Sequence, residues 1–144
     1  MIEVNPPLLL LLAVGSTVAA VFIAGCTGGG SKEPGAIIRT VPPAEASALI
    51  EEMGQDPKVT AIDVRRPDEF AGGHIPGAIN IDSRYFAERL GDLDRNGAYV
   101  ICCQRGGRSA AVRELMRDAG FREVYEVEGG MSAWTAAGLP VTRE

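Results

Sequence analysis

Cysteine and lysine are scarce in this 144-residue chain, and each shortage excludes a class of protein. Three cysteines (Cys26, Cys102 and Cys103) cannot build a disulfide framework, and no Cys/His spacing resembles a zinc site. Two lysines and twelve arginines stand against 19 acids, for a net charge of −5. That balance lacks the concentrated basic face on which nucleic-acid binding rests. The composition is not collagen-like either, and no repeat or low-complexity run appears after Ile37. What is present is an ordinary globular balance, 46% hydrophobic and 23% charged, in a length that fits one domain.

The apolar residues are unevenly spread. Residues 1–25 carry no Lys or Arg and a single acid, Glu3, and Leu8–Ala24 is an apolar run interrupted only by Gly15, Ser16 and Thr17. It ends in Ile23-Ala24-Gly25-Cys26, followed by Thr27 and three glycines. An apolar core closed by small residues is the pattern of a secretory signal. The Ile-Ala-Gly-Cys stretch resembles the lipobox of bacterial lipoproteins, which implies acylation of the Cys26 thiol. The expected organisation is a signal peptide over 1–25, a Gly-rich tether over 26–36 and a domain over 37–144. The chain would then be held to the membrane by lipid on Cys26, in the cell envelope, facing the periplasm or exterior. The alternative is an uncleaved membrane helix, since no positive side chain precedes Leu8. Lys32 and Arg39 would in that case place the domain on the cytoplasmic side.

From Ile37 onward, strand and helix signals alternate. Short apolar strands are expected at Ile37–Arg39, Val59–Asp63, Ala78–Ile81, Tyr99–Cys102 and Val124–Val127. Between them the patterns predict helices over Pro42–Met53, Ser83–Leu90 and Arg108–Ala119, the last stopped by Gly120, with a short helix over Met131–Ala137 at the end. The fold class is therefore α/β, with a mostly parallel central sheet of about five strands and helices on both faces. In such sheets the reactive site lies outside the carboxyl ends of the strands, which singles out the loop after Cys102.

That loop reads Cys103-Gln104-Arg105-Gly106-Gly107-Arg108. Paired glycines let the backbone curl until successive N–H groups point inward and form an anion-binding nest. The helix beginning near Arg108 adds its positive end. A cysteine facing such a concavity has a lowered pKa and is partly thiolate, the nucleophilic form. Arg105 and Arg108 are placed to neutralise an oxyanion. Cys103 is thus the candidate catalytic residue, and Gln104, Arg105, Gly106, Gly107 and Arg108 are the candidate substrate-binding residues.

Three motifs in order resemble the rhodanese domain family. Ile62-Asp63-Val64-Arg65, Glu69-Phe70 and Gly73-His74-Ile75-Pro76-Gly77-Ala78-Ile79-Asn80 resemble its first signature. Cys103 to Ser109 resembles its active-site loop, with Cys and Arg separated by four residues and Ser next. Val127-Glu128-Gly129-Gly130-Met131-Ser132-Ala133-Trp134, with Ala137-Gly138-Leu139-Pro140-Val141, resembles its closing signature. The resemblance implies a single-domain sulfurtransferase of rhodanese-like fold, with no metal or organic cofactor, acting as a monomer. It would move a sulfane sulfur from thiosulfate or a related donor to a thiol or cyanide through a persulfide on Cys103. A sulfur-carrier or interaction module with little turnover is the alternative. A phosphatase or arsenate-reductase reading is disfavoured because that related group has five residues between Cys and Arg.

Asp63 and Arg65, at a strand end near the loop, are expected to form a buried ion pair that braces it. His74 is expected to hold structure by a hydrogen bond. Cys102, one residue before the candidate nucleophile, is expected to point to the opposite face of the sheet as a core residue. Glu69 departs from some two-domain thiosulfate enzymes of the family, which carry a basic residue there.

Overall fold

A computed structural model describes residues 35–53 and 59–144, all within one compact unit, Lys32–Glu144. The expected signal peptide, Cys26 and all but the end of the tether lie outside the described residues. The elements are β1 (Ile37–Val41), α1 (Pro43–Met53), β2 (Val59–Asp63), α2 (Pro67–Ala71), β3 (Ile79–Asn80), α3 (Phe86–Arg89), β4 (Ala98–Cys102), α4 (Gly107–Asp118), β5 (Glu123–Val127) and α5 (Gly130–Ala136), with a 3₁₀ turn at Leu90–Asp92. The strands form one sheet in the order β1-β5-β4-β2-β3, and every pairing is parallel.

β4 occupies the centre, and all five of its residues are buried. A strand covered on both faces has no reason to alternate polar and apolar side chains, hence the unbroken Ala98-Tyr99-Val100-Ile101-Cys102 run. Its side chains, with that of Cys103 just beyond its end, divide between two cores. Tyr99, Ile101 and Cys103 pack with Phe86 of α3 and with Val112 and Met116 of α4. Val100 and Cys102 pack on the other face with Ala46 of α1 and with Met131 and Trp134 of α5. Each fully buried side chain of this kind contributes about 1.5–3 kcal/mol of transfer free energy.

Strand β1 runs two residues past Arg39 to Val41, and the structure departs from the sequence pattern in three further places. Helix α3 begins at Phe86 rather than Ser83, because the Asp82 carboxylate captures both the backbone N–H and the guanidinium of Arg84 and holds residues 82–85 as a turn. Strand β3 shrinks to two residues at the sheet edge, where only β2 pairs with it. Helix α2 is an addition: Pro67 starts it, and the Glu69 carboxylate accepts the backbone N–H of Arg66 in front of it.

The connection after β2 leads outward to β3, whereas the connection after β4 leads the opposite way to β5. The carboxyl ends of β2 and β4 therefore flank the crevice at which the topology reverses, the position where open α/β sheets bind ligands.

Candidate active site

The loop leaving β4 is shaped by contacts that pull its carbonyls outward. The first two backbone N–H groups after Gly130, those of Met131 and Ser132, donate to the carbonyls of Cys103 and Gln104 at 2.8 and 3.0 Å. A Cβ at Gly130 would lie 2.2 Å from the Cys103 carbonyl oxygen, so only glycine permits this approach. With the carbonyls committed to α5, the loop amides are left to face its inside. Gly106 completes the turn with φ +98°, a left-handed conformation, and immediately precedes α4. Gly107 already belongs to α4 and has no positive φ, so of the glycine pair only the first supplies the turn.

The Cys103 sulfur accepts the Gly106 N–H at 3.1 Å and lies 3.4 Å from the Ser109 hydroxyl. Burial pushes the thiol up. The backbone N–H groups of Ser109, Arg105 and Gly106, joined by the Ser109 hydroxyl when it turns to the sulfur, outweigh it and hold the thiol below its ordinary value. The neighbouring Cys102 shows the contrary balance. Burial and the adjacent Asp63 carboxylate push its thiol well above the ordinary range, and it packs in the opposite core. Two adjacent thiols are thus separated into an activated one and an inert one by the alternation of a single strand.

Asp63 and Arg65 form a fully buried pair. The guanidinium straddles the carboxylate at 2.7–3.0 Å and also donates to the Gly73 carbonyl and, at 3.1 Å, to Oε1 of Gln104. The Gln104 amide donates in turn to the Ser132 hydroxyl. The side chain of Gln104 therefore ties the loop to β2 and α5 rather than lying free for a ligand. Arg108 is likewise committed: its two terminal nitrogens each contact one oxygen of Glu69 at 2.8 Å. This pairing holds the Glu69 carboxyl down at about 2, against the opposing effect of burial, and raises Arg108. Arg105 is exposed, and among the described residues its guanidinium makes no ion pair or hydrogen bond. His74 is buried, stacks on Phe70 and donates from Nδ1 to the Phe70 carbonyl at 2.8 Å. Among the described residues no hydrogen bond or ring stack joins its ring to the Cys103 loop.

This arrangement of a lowered thiol, inward amides and one unpaired cation suits attack by sulfur on a small anionic substrate. A family model described as "Rhodanese-like domain" matches residues 45–137. The chain belongs to the rhodanese-like domain family. It is 38% identical to YtwF of Bacillus subtilis over 65% of this chain and 90% of that protein. It is 31% identical to the thiosulfate sulfurtransferase GlpE of Pseudomonas putida over 68% of this chain and 86% of that one. A crystal structure of a rhodanese-related protein from Thermoplasma volcanium superposes with a TM-score of 0.66 at 33% identity, covering 74% of this chain and 99% of that one. The rhodanese-like fold accounts for the five-stranded parallel sheet and for the loop at its centre.

Two residues at this site carry no role in the sequence reading. Ser109 stands inside the loop motif as the residue after Arg108, with no chemistry assigned to it there. Glu126 is an acid inside the buried strand Glu123-Val124-Tyr125-Glu126-Val127, 4% exposed, with Ser109 at 2.9 Å from its Oε1. The available signal was the cost of burying a carboxylate without partners, which makes an acid in an apolar parallel strand a marker of a polar network. Among the described residues, no cluster of three or more His, Cys, Asp or Glu side chains could hold a metal ion.

Proposed function

We propose that this rhodanese-family chain is a sulfurtransferase whose sulfur is carried on Cys103. The thiolate attacks the outer, sulfane sulfur of thiosulfate or a related donor. The donor's sulfur–sulfur bond breaks, its electron pair leaves with sulfite, and Cys103 becomes a persulfide. A thiol or cyanide then attacks the outer sulfur, and Cys103 departs as the thiolate. Arg105, at the mouth, neutralises the sulfonate end of the donor, and the loop amides hold the negative outer sulfur of the persulfide. The Asp63–Arg65 and Glu69–Arg108 pairs brace the loop without touching the reacting atoms.

The observation that carries this reading is the Cys103 sulfur, held by the Gly106 N–H at 3.1 Å at the end of the central strand with its thiol lowered. The relatives named thiosulfate sulfurtransferase support the choice of reaction. Intact-mass analysis after incubation with thiosulfate tests it: the wild type gains one sulfur, Cys103→Ser gains none, and Cys102→Ser gains it normally. A folded Cys102→Ser that fails equally would remove Cys103 from its place as sole nucleophile. On the sequence of residues 8–30 we further propose that the domain is displayed on the cell envelope by lipid on Cys26.

A further inference from the structure

The mechanism gives no task to Glu126, a carboxylate buried in the apolar sheet. Glu126 sits in β5, in register with Thr40 of β1 on one side and Ile101 of β4 on the other. Its Oε2 accepts the Thr40 hydroxyl at 2.7 Å and Arg113 Nη1 at 3.1 Å, and its Oε1 accepts the Ser109 hydroxyl at 2.9 Å. Ser109 and Arg113 stand four residues apart on α4, so one helix face delivers both to the carboxylate. A Cβ at Gly106 would come within 3.5 Å of Glu126 Oε1, which places the carboxylate directly beneath the loop.

The Ser109 hydroxyl has one hydrogen and three acceptors around it. These are Glu126 Oε1 at 2.9 Å, the Gly106 carbonyl at 3.1 Å and the Cys103 sulfur at 3.4 Å. A carboxylate oxygen at the shortest distance is the strongest of the three. The loop amides point at sulfur whichever way the hydroxyl turns; the hydroxyl serves sulfur only by abandoning Glu126.

We infer that Glu126 is a positioning residue: its carboxylate holds the Ser109 hydrogen, turns the hydroxyl lone pairs toward Cys103 and so withholds from the bare thiolate one of its available donors. The inference rests on Cys103 as the nucleophile. A neutral thiol fits this arrangement, because its S–H donates to Ser109 Oγ while Ser109 donates to Glu126. A persulfide fits it as well, since its inner sulfur is uncharged. Only the bare thiolate meets a lone pair, so Glu126 biases the loop toward its resting and loaded forms.

The other charged groups around the loop are the exposed Arg105 within it, the Arg108–Glu69 pair from α4 and α2 and the Asp63–Arg65 pair at the end of β2, with the Cys102 thiol on the far side of the strand. Glu126 itself faces Arg113 of α4 and the uncharged hydroxyls of Thr40 and Ser109. The two named pairs each balance internally, so the Ser109–Glu126 contact is separable from them by mutation.

The test is the pH titration of the Cys103 thiolate by its ultraviolet absorbance, taken as the difference from Cys103→Ser. Ser109→Ala should move the midpoint by less than about half a pH unit, because the hydroxyl is already committed elsewhere. Glu126→Gln should lower it by about one pH unit, because the released hydroxyl then serves the thiolate. In the Ser109→Ala background the same Glu126→Gln change should lose most of its effect. Glu126→Gln takes from Arg113 one of its two anions, Glu114 being the other, so Glu126→Gln/Arg113→Gln, which leaves the net charge of the cluster unchanged, should give the same lowering. An upward shift of a unit or more in Ser109→Ala would overturn the inference, and that variant decides alone if the Glu126 variants do not fold. So would a Glu126→Gln shift that is absent, upward or equal in both backgrounds. The titration needs no sulfur transfer, so failure of the persulfide assignment would show separately, as no mass gain on Cys103.

Discussion

Arg105 and Arg108 lie three positions apart in one loop, yet their surroundings give them different work. Arg108 is bound to both oxygens of Glu69, whereas Arg105 stands exposed, without a partner among the described residues. Removing Arg105 takes away a charge-assisted contact to the donor, so Arg105→Ala should raise the KM for thiosulfate by about tenfold with kcat little changed. Arg108→Ala should lower kcat severalfold as well, because the start of α4 loses its tie to α2. Its cost in global stability should stay under about 1 kcal/mol, the pair being partly exposed. Steady-state kinetics separates the two; equal, purely KM effects would remove the division of labour. The position of Cys103 and the opposed orientation of Cys102 could be read from sequence, because strand alternation fixes them. The commitment of Arg108 to Glu69 could not, since 39 residues separate them and only the fold brings them together.

At the scale of the element, legibility follows burial and length. β2, β4 and β5 agree with the apolar pattern to within one residue, because both sheet faces are covered and apolar residues predominate in the runs. α4 is likewise displaced by one residue only, its apolar stripe running three turns. α2 is five residues long, too short for any periodicity to show, and it rests on local devices at its start. That short helix nevertheless supplies Glu69 to the loop, and its contribution has a definite pH signature. The Glu69 carboxyl falls from 4.5 to about 2 through its bonds from Arg108, against burial. A depressed carboxyl stabilises the fold fully above its unfolded value and loses that contribution as pH falls through its folded value. Wild type should therefore exceed Glu69→Gln in stability above pH 4.5, with the gap closing as pH drops toward about 2. Denaturant midpoints across that range check it; a gap independent of pH would assign the difference to packing instead.

For the whole molecule, strand–helix alternation yields a parallel sheet but not its order. The order β1-β5-β4-β2-β3 depends on which side of the sheet each crossover leaves, a matter of packing rather than local pattern. The location of the site was legible despite this, because it needs only the carboxyl end of the strand leading into the glycine loop. The amino-terminal segment lies outside the described residues. The Leu8–Ala24 apolar run, the small residues before Cys26 and the glycines after it all suit cleavage, acylation and a flexible tether. A single acyl chain binds membranes only marginally, so firm anchoring after cleavage needs the multiple chains that a lipidated Cys26 carries. The protein recovered from membranes should begin at Cys26, carry acyl mass and retain the 119 residues to Glu144. Cys26→Ser should leave an unacylated precursor that keeps Met1–Gly25. Intact-mass analysis of both membrane fractions decides. A wild type that retains Met1–Gly25 without acyl mass would replace the lipid anchor with a membrane helix and, with Lys32 and Arg39 as the nearest positive charges, put the sulfur chemistry on the cytoplasmic side.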